Sequence, residues 1–165
     1  MYRHIRVIKT SDKDDEVQAV YTFDNENAAI ADMHNLYGVA LKSEKLQATF
    51  CLVIDEDGIE VERLSASIPN PNNKRERYEI KPRVYWKTVV NGAEEFNLSK
   101  YDTVQLAKGN FHTRYAACLN NSNCTKATVA CINGDGINLE LKVWERSTPE
   151  PQTEEPEYHF PVSDE

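Results

Sequence analysis

The sequence lacks long apolar runs and an apolar leader. No stretch approaches the roughly 18–20 consecutive apolar residues that a membrane-spanning helix needs. Residues 1–6 contain neither the apolar core nor the cleavage site of a signal peptide. These absences predict a cytoplasmic protein that makes no contact with a membrane.

Cysteine is scarce and irregularly spaced. The chain has four cysteines, one before position 65 and three after position 78, and no CxxC pair: Cys51, Cys118, Cys124 and Cys131. A disulfide framework is therefore not expected. In a reducing compartment these residues are predicted to be small buried hydrophobic side chains.

Motifs for metals, cofactors and catalysis are also missing. There is no glycine-rich phosphate loop, GxSxG or HExxH. His112 and the three later cysteines supply the four ligands that a zinc site of three cysteines and one histidine needs. Their spacings do not fit paired zinc knuckles, and Cys131 falls in the middle of a predicted strand. Residues 55–58 and 133–136 resemble fragments of a calcium loop, but their glycines come too early. We expect hairpin turns there and neither metal nor cofactor.

Basic residues are too few for general phosphate-backbone binding, since the formal net charge is -8. Residues 1–64 hold 7 Lys/Arg against 13 Asp/Glu, whereas residues 79–146 hold 9 against 7. The basic linker segment 74–78, with Arg83, Tyr85 and Trp86 after it, could stack on single-stranded nucleic acid. A solvated linker beside a half-buried strand is the interpretation that the acidic chain favours.

An internal similarity appears when the sequence is aligned with itself at an offset of 78. Residues 34–41 then align with residues 112–119 without a gap, and residues 54–59 align with residues 132–137. The same offset places Lys9 and Thr10 on Lys87 and Thr88. This register predicts a tandem duplication of one small unit.

Each copy has the pattern of a β-β-α-β-β unit. Asn91-Gly92 is a hairpin signal in the second copy, and Asp24 and Asp102 are predicted helix N-caps, with Gln105 completing a capping box. The predicted helix of the first copy covers about residues 25–42. An apolar stripe at helical spacing follows in both copies: Ala29, Met33, Tyr37 and Ala40, matched by Ala107, Phe111, Tyr115 and Cys118.

The third strand is apolar on both faces. One face carries Leu46, Ala48, Phe50, Leu52 and Ile54, and the helix stripe is expected to cover the buried face of its own sheet. The second face, with Thr49, Cys51 and Val53, fits packing between the copies or against a partner. The predicted fold is α+β, a pseudo-dimer of two-layer units: repeat 1–64, polar linker 65–78, repeat 79–146 and acidic Pro-rich tail 147–165.

His34 and His112 are the strongest catalytic candidates in the sequence, since each copy places a histidine beside the apolar stripe of its helix. An enzyme site between the copies could combine them with Tyr37 and Tyr115. No nucleophile-base arrangement accompanies them in sequence, so a helix-edge role inherited through the duplication is favoured. We therefore predict that the chain is not an enzyme.

The tail, residues 147–165, has six carboxylates, four prolines and no Lys or Arg. Such a segment buries too little surface to fold alone. Its apolar cluster, residues 158–162, includes Tyr158 and Phe160. Three alternatives stay open: a solubilising tail, docking on its own domain, or a short motif for a partner.

The short basic-apolar opening strand, the single helix and the acidic hairpin of each copy resemble small proteins of bacteriophages and mobile elements of Gram-positive bacteria. This resemblance implies a phage accessory protein and no catalytic residue. The leading prediction is a non-catalytic binding module that offers an acidic surface to a host protein. The candidate residues are Asp12, Asp14, Asp15, Glu16, Asp55, Glu56, Asp57, Tyr158 and Phe160. A self-associating structural component is the alternative.

Overall fold

The computed structural model describes residues 1–147, apart from the side chain of Lys74. Antiparallel strands and two helices give an α+β fold, as the sequence predicts. The first unit contains β1 Tyr2–Thr10, β2 Val17–Phe23, α1 Glu26–Leu41, β3 Leu46–Ile54 and β4 Glu60–Ser67. A short hairpin follows, β5 Pro69–Asn70 and β6 Asn73–Arg77. The second unit contains β7 Arg83–Val90, β8 Ala93–Lys100, α2 Val104–Asn120, β9 Cys124–Ile132 and β10 Asn138–Glu145.

The two large sheets have the same topology. The strand orders are β2-β1-β3-β4 and β8-β7-β9-β10, and each helix connects the second and third strands of its unit. Every pairing within these sheets is antiparallel. The chain therefore builds the same arrangement twice.

The offset of 78 holds for the helices and third strands but not for the first strands. Ile54 and Ile132 differ by 78, whereas the residues that pair with them, Arg3 and Arg83, differ by 80. The ungapped match of Lys9 with Lys87 is therefore wrong. The second hairpin is two residues shorter because it closes through Asn91 and Gly92, with φ of 52° and 77°. These positive angles confirm the predicted tight turn.

The helices begin one residue later than predicted. Asn25 and Thr103 are the N-caps, and their side chains accept hydrogen bonds from the backbone N–H groups three residues ahead. Asp24 and Asp102 precede these caps, so the capping box with Gln105 does not form. The apolar stripes are confirmed, with Ala29, Met33, Ala107 and Phe111 fully buried.

The two faces of the third strand have the opposite roles from those expected. Each helix packs on the smaller side chains: Ala29 and Met33 cluster with Cys51 and Val53. Phe50, Leu52 and Ile54 point away from the helix and join Tyr85 and Ile132 in a core that both sheets share. The β-branched and small side chains leave room for a helix, and the larger ones fill the space between sheets. The layers are therefore α1, first sheet, second sheet and α2.

The segment between the units contributes to this shared core. Ile80 is buried in the core and Tyr78 packs against it. The Tyr78 amide donates to the Ile68 carbonyl at 3.2 Å, which brings the chain back beside the end of β4. Gly134 allows this course, because a Cβ at that position would lie 2.2 Å from the Ile80 carbonyl oxygen.

Candidate functional site

The predicted acidic residues do not form one surface. Thr10 pairs with Leu46 at one end of the first sheet, and Arg3 pairs with Ile54 at the other. The loop after β1 and the turn after β3 are therefore separated by the length of β1, roughly 25–30 Å for a strand of this size. Residues 12–16 lie at one end and residues 55–57 at the other.

The Glu16 carboxylate forms an ion pair inside the molecule. Its side chain is 6% exposed, and its Oε2 accepts from the Arg83 guanidinium at 2.8 Å. Its Oε1 accepts from the backbone N–H of Lys81 at 2.7 Å. Arg83, itself 1% exposed, also donates to the Gln18 side chain at 3.0 Å. This carboxylate therefore joins the two units and is closed to a partner.

Asp55 and Asp57 also have internal partners. The Asp55 carboxylate accepts from the backbone N–H groups of Asp57 and Ile59 and fixes the turn. Asp57 pairs with the Lys126 ammonium in the second unit, and this hydrogen bond lowers the pKa of the Asp57 carboxyl. Both carboxylates stabilise the fold.

The remaining predicted acids are on the surface. Asp12, Asp14, Asp15 and Glu56 are exposed. The Asp12 carboxylate lies 3.5 Å from the Lys45 ammonium, and hydrogen bonds, chiefly from the Thr10 side chain, lower its pKa. Tyr158 and Phe160 lie outside the described residues.

The histidines that the sequence singled out do not meet. His34 Nε2 lies 3.1 Å from Glu62 on the first unit, and His112 Nε2 lies 2.9 Å from Glu140 on the second. Both are helix residues on the outer layers, with the two sheets between them. Tyr37 and Tyr115 pack beneath their own helices. The structure therefore does not assemble these four side chains into a site between the units.

The cysteines are free and buried. Burial raises the pKa of the Cys51 thiol to about 11, which disfavours the reactive thiolate. Cys118 and Cys124 share one cluster, Cys131 lies in another, and His112 faces Glu140. Among residues 1–147, no three His, Cys, Asp or Glu side chains are grouped so as to hold a metal ion.

The basic and aromatic residues after the linker are mostly used internally. Arg83 and Tyr85 are buried at the seam between the sheets, and the Tyr85 hydroxyl donates to the Gly58 carbonyl at 2.7 Å. Trp86 lies under the Arg114 guanidinium at 4.6 Å from the ring centroid. These positions do not form an open platform for stacked bases.

Contacts across the seam come in reciprocal pairs. Arg83 of the second unit binds Glu16 of the first, and Arg3 of the first binds Glu94 of the second at 3.4 Å. A Cβ on Gly58 would meet Thr128, and one on Gly136 would meet Phe50, at 2.8 and 2.9 Å. Both glycines have positive φ. Pairs this distant in sequence carry no local signal, so sequence reasoning missed them.

His4 is a second feature that the sequence did not reveal. The side chain is fully buried, with Nδ1 2.8 Å from an Asp32 carboxylate oxygen on α1. Burial lowers the pKa of His4, and the hydrogen bond with Asp32 partly opposes that shift. The corresponding positions of the second unit are Val84 and Asn110.

Two cavities lie at corresponding places on the seam. The first, about 390 Å³, is lined by Met1, Glu56, Asp57, Lys87, Val89, Glu94, Lys126 and Thr128. The second, about 290 Å³, is lined in part by Ala48, by the turn residues Gly134 and Asp135, by Arg77 and Tyr78 at the end of the linker, and by Glu79 and Ile80 directly after it. Asp57 corresponds to Asp135 and Ala48 to Lys126, both at the offset of 78. The linker thus forms a wall of the second cavity.

Comparisons with known proteins give no relative: the chain matches no family model, no curated protein and no solved structure. Within the described part of the chain, neither helix is long and apolar enough to cross a membrane.

Proposed function

We propose that the chain is a non-catalytic protein-binding module built from two duplicated β-β-α-β-β units that form a pseudo-dimer. The shared strand order and the reciprocal contacts of Gly58 and Gly136 support the duplication. So do the pairs His34–Glu62 and His112–Glu140, which differ by 78 at both positions. An isologous dimer interface has this reciprocal form, so two fused copies would inherit it.

The observation that carries the binding role is the loop between β1 and β2. Asp14 and Asp15 are exposed there and form no ion pair with the described side chains, and the only ion pair of Asp12 with those side chains is the Lys45 contact at 3.5 Å. Carboxylates that the fold leaves in solvent can pair with basic groups of a partner and speed its approach. We assign the partner-facing role to this loop rather than to Glu16, Asp55 or Asp57, which have internal roles.

The partner class follows from charge and from the resemblance to small phage proteins. Exposed aspartates complement a basic groove, such as that of a host protein that handles nucleic acid or acts in defence. In this proposal the chain works in the host cytoplasm and occupies that groove with its own carboxylates.

The test is affinity capture from the lysate of a Gram-positive host with three versions of the full chain. One is unchanged, one carries Asp14→Lys and Asp15→Lys, and the control carries Glu56→Lys and Asp135→Lys, which changes the net charge equally. We expect a stoichiometric partner that the loop variant loses and the control retains. Equal recovery by all three versions, or loss with the control alone, would overturn the assignment to the loop.

A second candidate function, self-association as a structural or assembly component, is favoured by the edge strand β10. Ile137, just before the strand, and Leu139 and Val143 within it are 40%, 37% and 51% exposed. An apolar edge strand is a template for pairing with another chain. Light scattering decides the matter: a defined oligomer that Leu139→Lys dissociates would support assembly, and a strict monomer would oppose it.

A further inference from the structure

Two cysteines of the second unit lie together where α2 ends and β9 begins. Cys118 is in the last turn of α2, and Cys124 is the first residue of β9. Both are free thiols, and they belong to one buried cluster with Ala127. The fold therefore joins two side chains that five residues separate along the chain.

The two thiols interact directly. Burial raises the pKa of the Cys118 thiol, and the neighbouring Cys124 raises it further through its charge and through a side-chain hydrogen bond. The Cys124 thiol also donates to the Lys126 carbonyl at 3.5 Å, which orients it within the cluster. Thiols that already touch need little movement of the backbone to form a disulfide.

Backbone hydrogen bonds hold the two residues in this position. The Asn121 amide donates to the Ala117 carbonyl at 3.1 Å and ends the helix. The Cys124 amide then donates to the Asn121 carbonyl at 3.0 Å. The turn between helix and strand therefore has a defined course that keeps the thiols together.

The first unit fills the same corner without sulfur. Cys118 and Cys124 correspond to Ala40 and Leu46 at the offset of 78, and both of these residues are buried. The Leu46 amide donates to the Ser43 carbonyl at 3.3 Å, so the turn is also the same. Apolar side chains are thus sufficient for the packing, and the two thiols add a chemistry that the first unit lacks.

A small cavity reaches both thiols. It measures about 120 Å³, and Cys118 and Cys124 line it with neighbours that include Trp86, Thr88 and Arg114. One water molecule needs roughly 10–15 Å³ of such space, so a molecule of the size of hydrogen peroxide fits. Cys118 is 6% exposed and Cys124 is 1% exposed. We therefore expect Cys118 to meet an oxidant first.

We propose that Cys118 and Cys124 are a redox-sensitive pair that hydrogen peroxide converts into a reversible disulfide. The Cys118 thiolate attacks one peroxide oxygen and becomes a sulfenic acid, and the other oxygen leaves as water. The Cys124 sulfur then attacks the sulfenic sulfur, the S–S bond forms and a second water leaves. The two sulfur atoms lose two electrons to the peroxide, and the two thiol protons end in the waters.

The two steps differ in rate. The first is slow, because the raised pKa of Cys118 leaves little of the thiolate that reacts. The second is fast, because Cys124 is held beside the sulfenic acid. The disulfide ties the last turn of α2 to β9, and a dithiol reductant returns the two electrons and opens it. The inference does not depend on the proposed partner.

Peptide mapping of the purified full chain tests the proposal. Trypsin cleaves after Arg114 and Lys126 and nowhere between them, so one peptide, residues 115–126, contains both cysteines of the pair. Cys51 and Cys131 fall in other peptides and are the controls, since each lies in a cluster with no second cysteine. After peroxide, unfolding and alkylation with iodoacetamide, we expect peptide 115–126 to be lighter by two hydrogen atoms and to carry no alkyl group. The control peptides should be alkylated as before.

A Cys124→Leu variant, which installs the residue that the first unit has at Leu46, separates access from pairing. Its Cys118 should be trapped by dimedone as a sulfenic acid, whereas the unchanged chain treated with the same dose should give the disulfide. Dithiothreitol should restore both alkylation sites of the unchanged chain. Two alkyl groups on its peptide after peroxide, a sulfinic acid at Cys118, a disulfide between two chains, or an unreactive Cys118 in the variant would each overturn the proposal.

Hydrogen exchange measures the effect of the bond on the fold. The Cys124 amide should exchange severalfold more slowly in the oxidised chain, and the Leu46 amide, its counterpart in the first unit, should not change. A Cys118→Ala/Cys124→Leu variant should show no response to peroxide at either position. Equal exchange of the Cys124 amide before and after oxidation would contradict the link between α2 and β9. Because no partner is present, either result leaves the acidic-loop proposal to its own test.

Discussion

At the scale of single residues, the clearest stabilising contact between the units is the buried ion pair Arg83–Glu16. Both side chains are almost inaccessible, and Glu16 also binds the Lys81 amide. Removing one partner leaves the other charge buried without compensation, which costs about 3–5 kcal/mol. The pair therefore fixes the first unit against the second more than a surface ion pair would.

We expect Arg83→Met to lower the free energy of unfolding by about 3–5 kcal/mol, measured by urea denaturation. Adding Glu16→Gln should recover part of the loss, because it removes the stranded charge and keeps an acceptor for Lys81. The matched control is Arg3→Met in the reciprocal pair, where Glu94 is 39% exposed and also binds Lys87. An equal loss at both arginines would contradict the role of burial.

His4 makes the stability depend on pH. Its folded pKa lies below the usual value of 6.5, so the unfolded chain takes up a proton first as the pH falls. The contribution of His4 to stability should therefore be fully present well above pH 6.5 and should be lost as the pH falls through 6.5 toward the folded pKa. Midpoints of urea unfolding between pH 5 and pH 8 would show this slope.

The second unit supplies a natural control for the His4 measurement. His4→Val together with Asp32→Asn installs the residues that the second unit has at Val84 and Asn110. This variant should lose the part of the slope near pH 6 that belongs to His4. A slope that persists unchanged in the variant would assign the dependence to other groups.

At the scale of elements, the sequence predicts local structure well and the contacts between elements poorly. The helix stripes and the Asn91-Gly92 turn are local patterns, and both are confirmed. The third strand is apolar on both faces, so periodicity could not show which face meets the helix. Side-chain volume decides which face packs against the helix. Phe50 and Leu52 fill the space between the sheets, and the smaller Cys51 lies on the face that packs against α1.

The lack of long-range contact information in the sequence also explains why the internal role of Glu16 was not predicted. Glu16 has a solvated loop sequence around it, and nothing nearby indicates that Arg83, 67 residues away, buries it. The two-residue difference between the hairpins was hidden because the helices and third strands kept an offset of 78. Local signals identified the acidic loop, and long-range packing decided which of its acids remain exposed.

Two glycines test how strongly backbone conformation determines these elements. Neither Gly38 in α1 nor Gly92 in the second hairpin has an atom within 4 Å of an added Cβ, so only the backbone differs. Gly38→Ala should raise the free energy of unfolding by about 0.5–1 kcal/mol through helix propensity. Gly92→Ala, at φ 77°, should lower it by about 1 kcal/mol. Thermal melts that move in the same direction would contradict this argument.

At the scale of the whole molecule, the shared core couples the two units. Ile5, Phe50 and Leu52 of the first unit pack in one cluster with Tyr85 and Ile132 of the second. A unit of this size alone buries a marginal core, so most of its stability depends on the other sheet. We therefore expect the two units to unfold as one cooperative body rather than as two independent domains.

This coupling can be measured because both tryptophans, Trp86 and Trp144, lie in the second unit. Met33→Ala changes a buried side chain that packs between α1 and its own sheet, within the first unit, and should cost about 2–5 kcal/mol through the lost contacts and the cavity it creates. If the units unfold together, tryptophan fluorescence and far-UV circular dichroism must shift to lower urea by the same amount. A fluorescence midpoint that stays in place while the dichroism midpoint moves would mean that the second unit folds independently of the first.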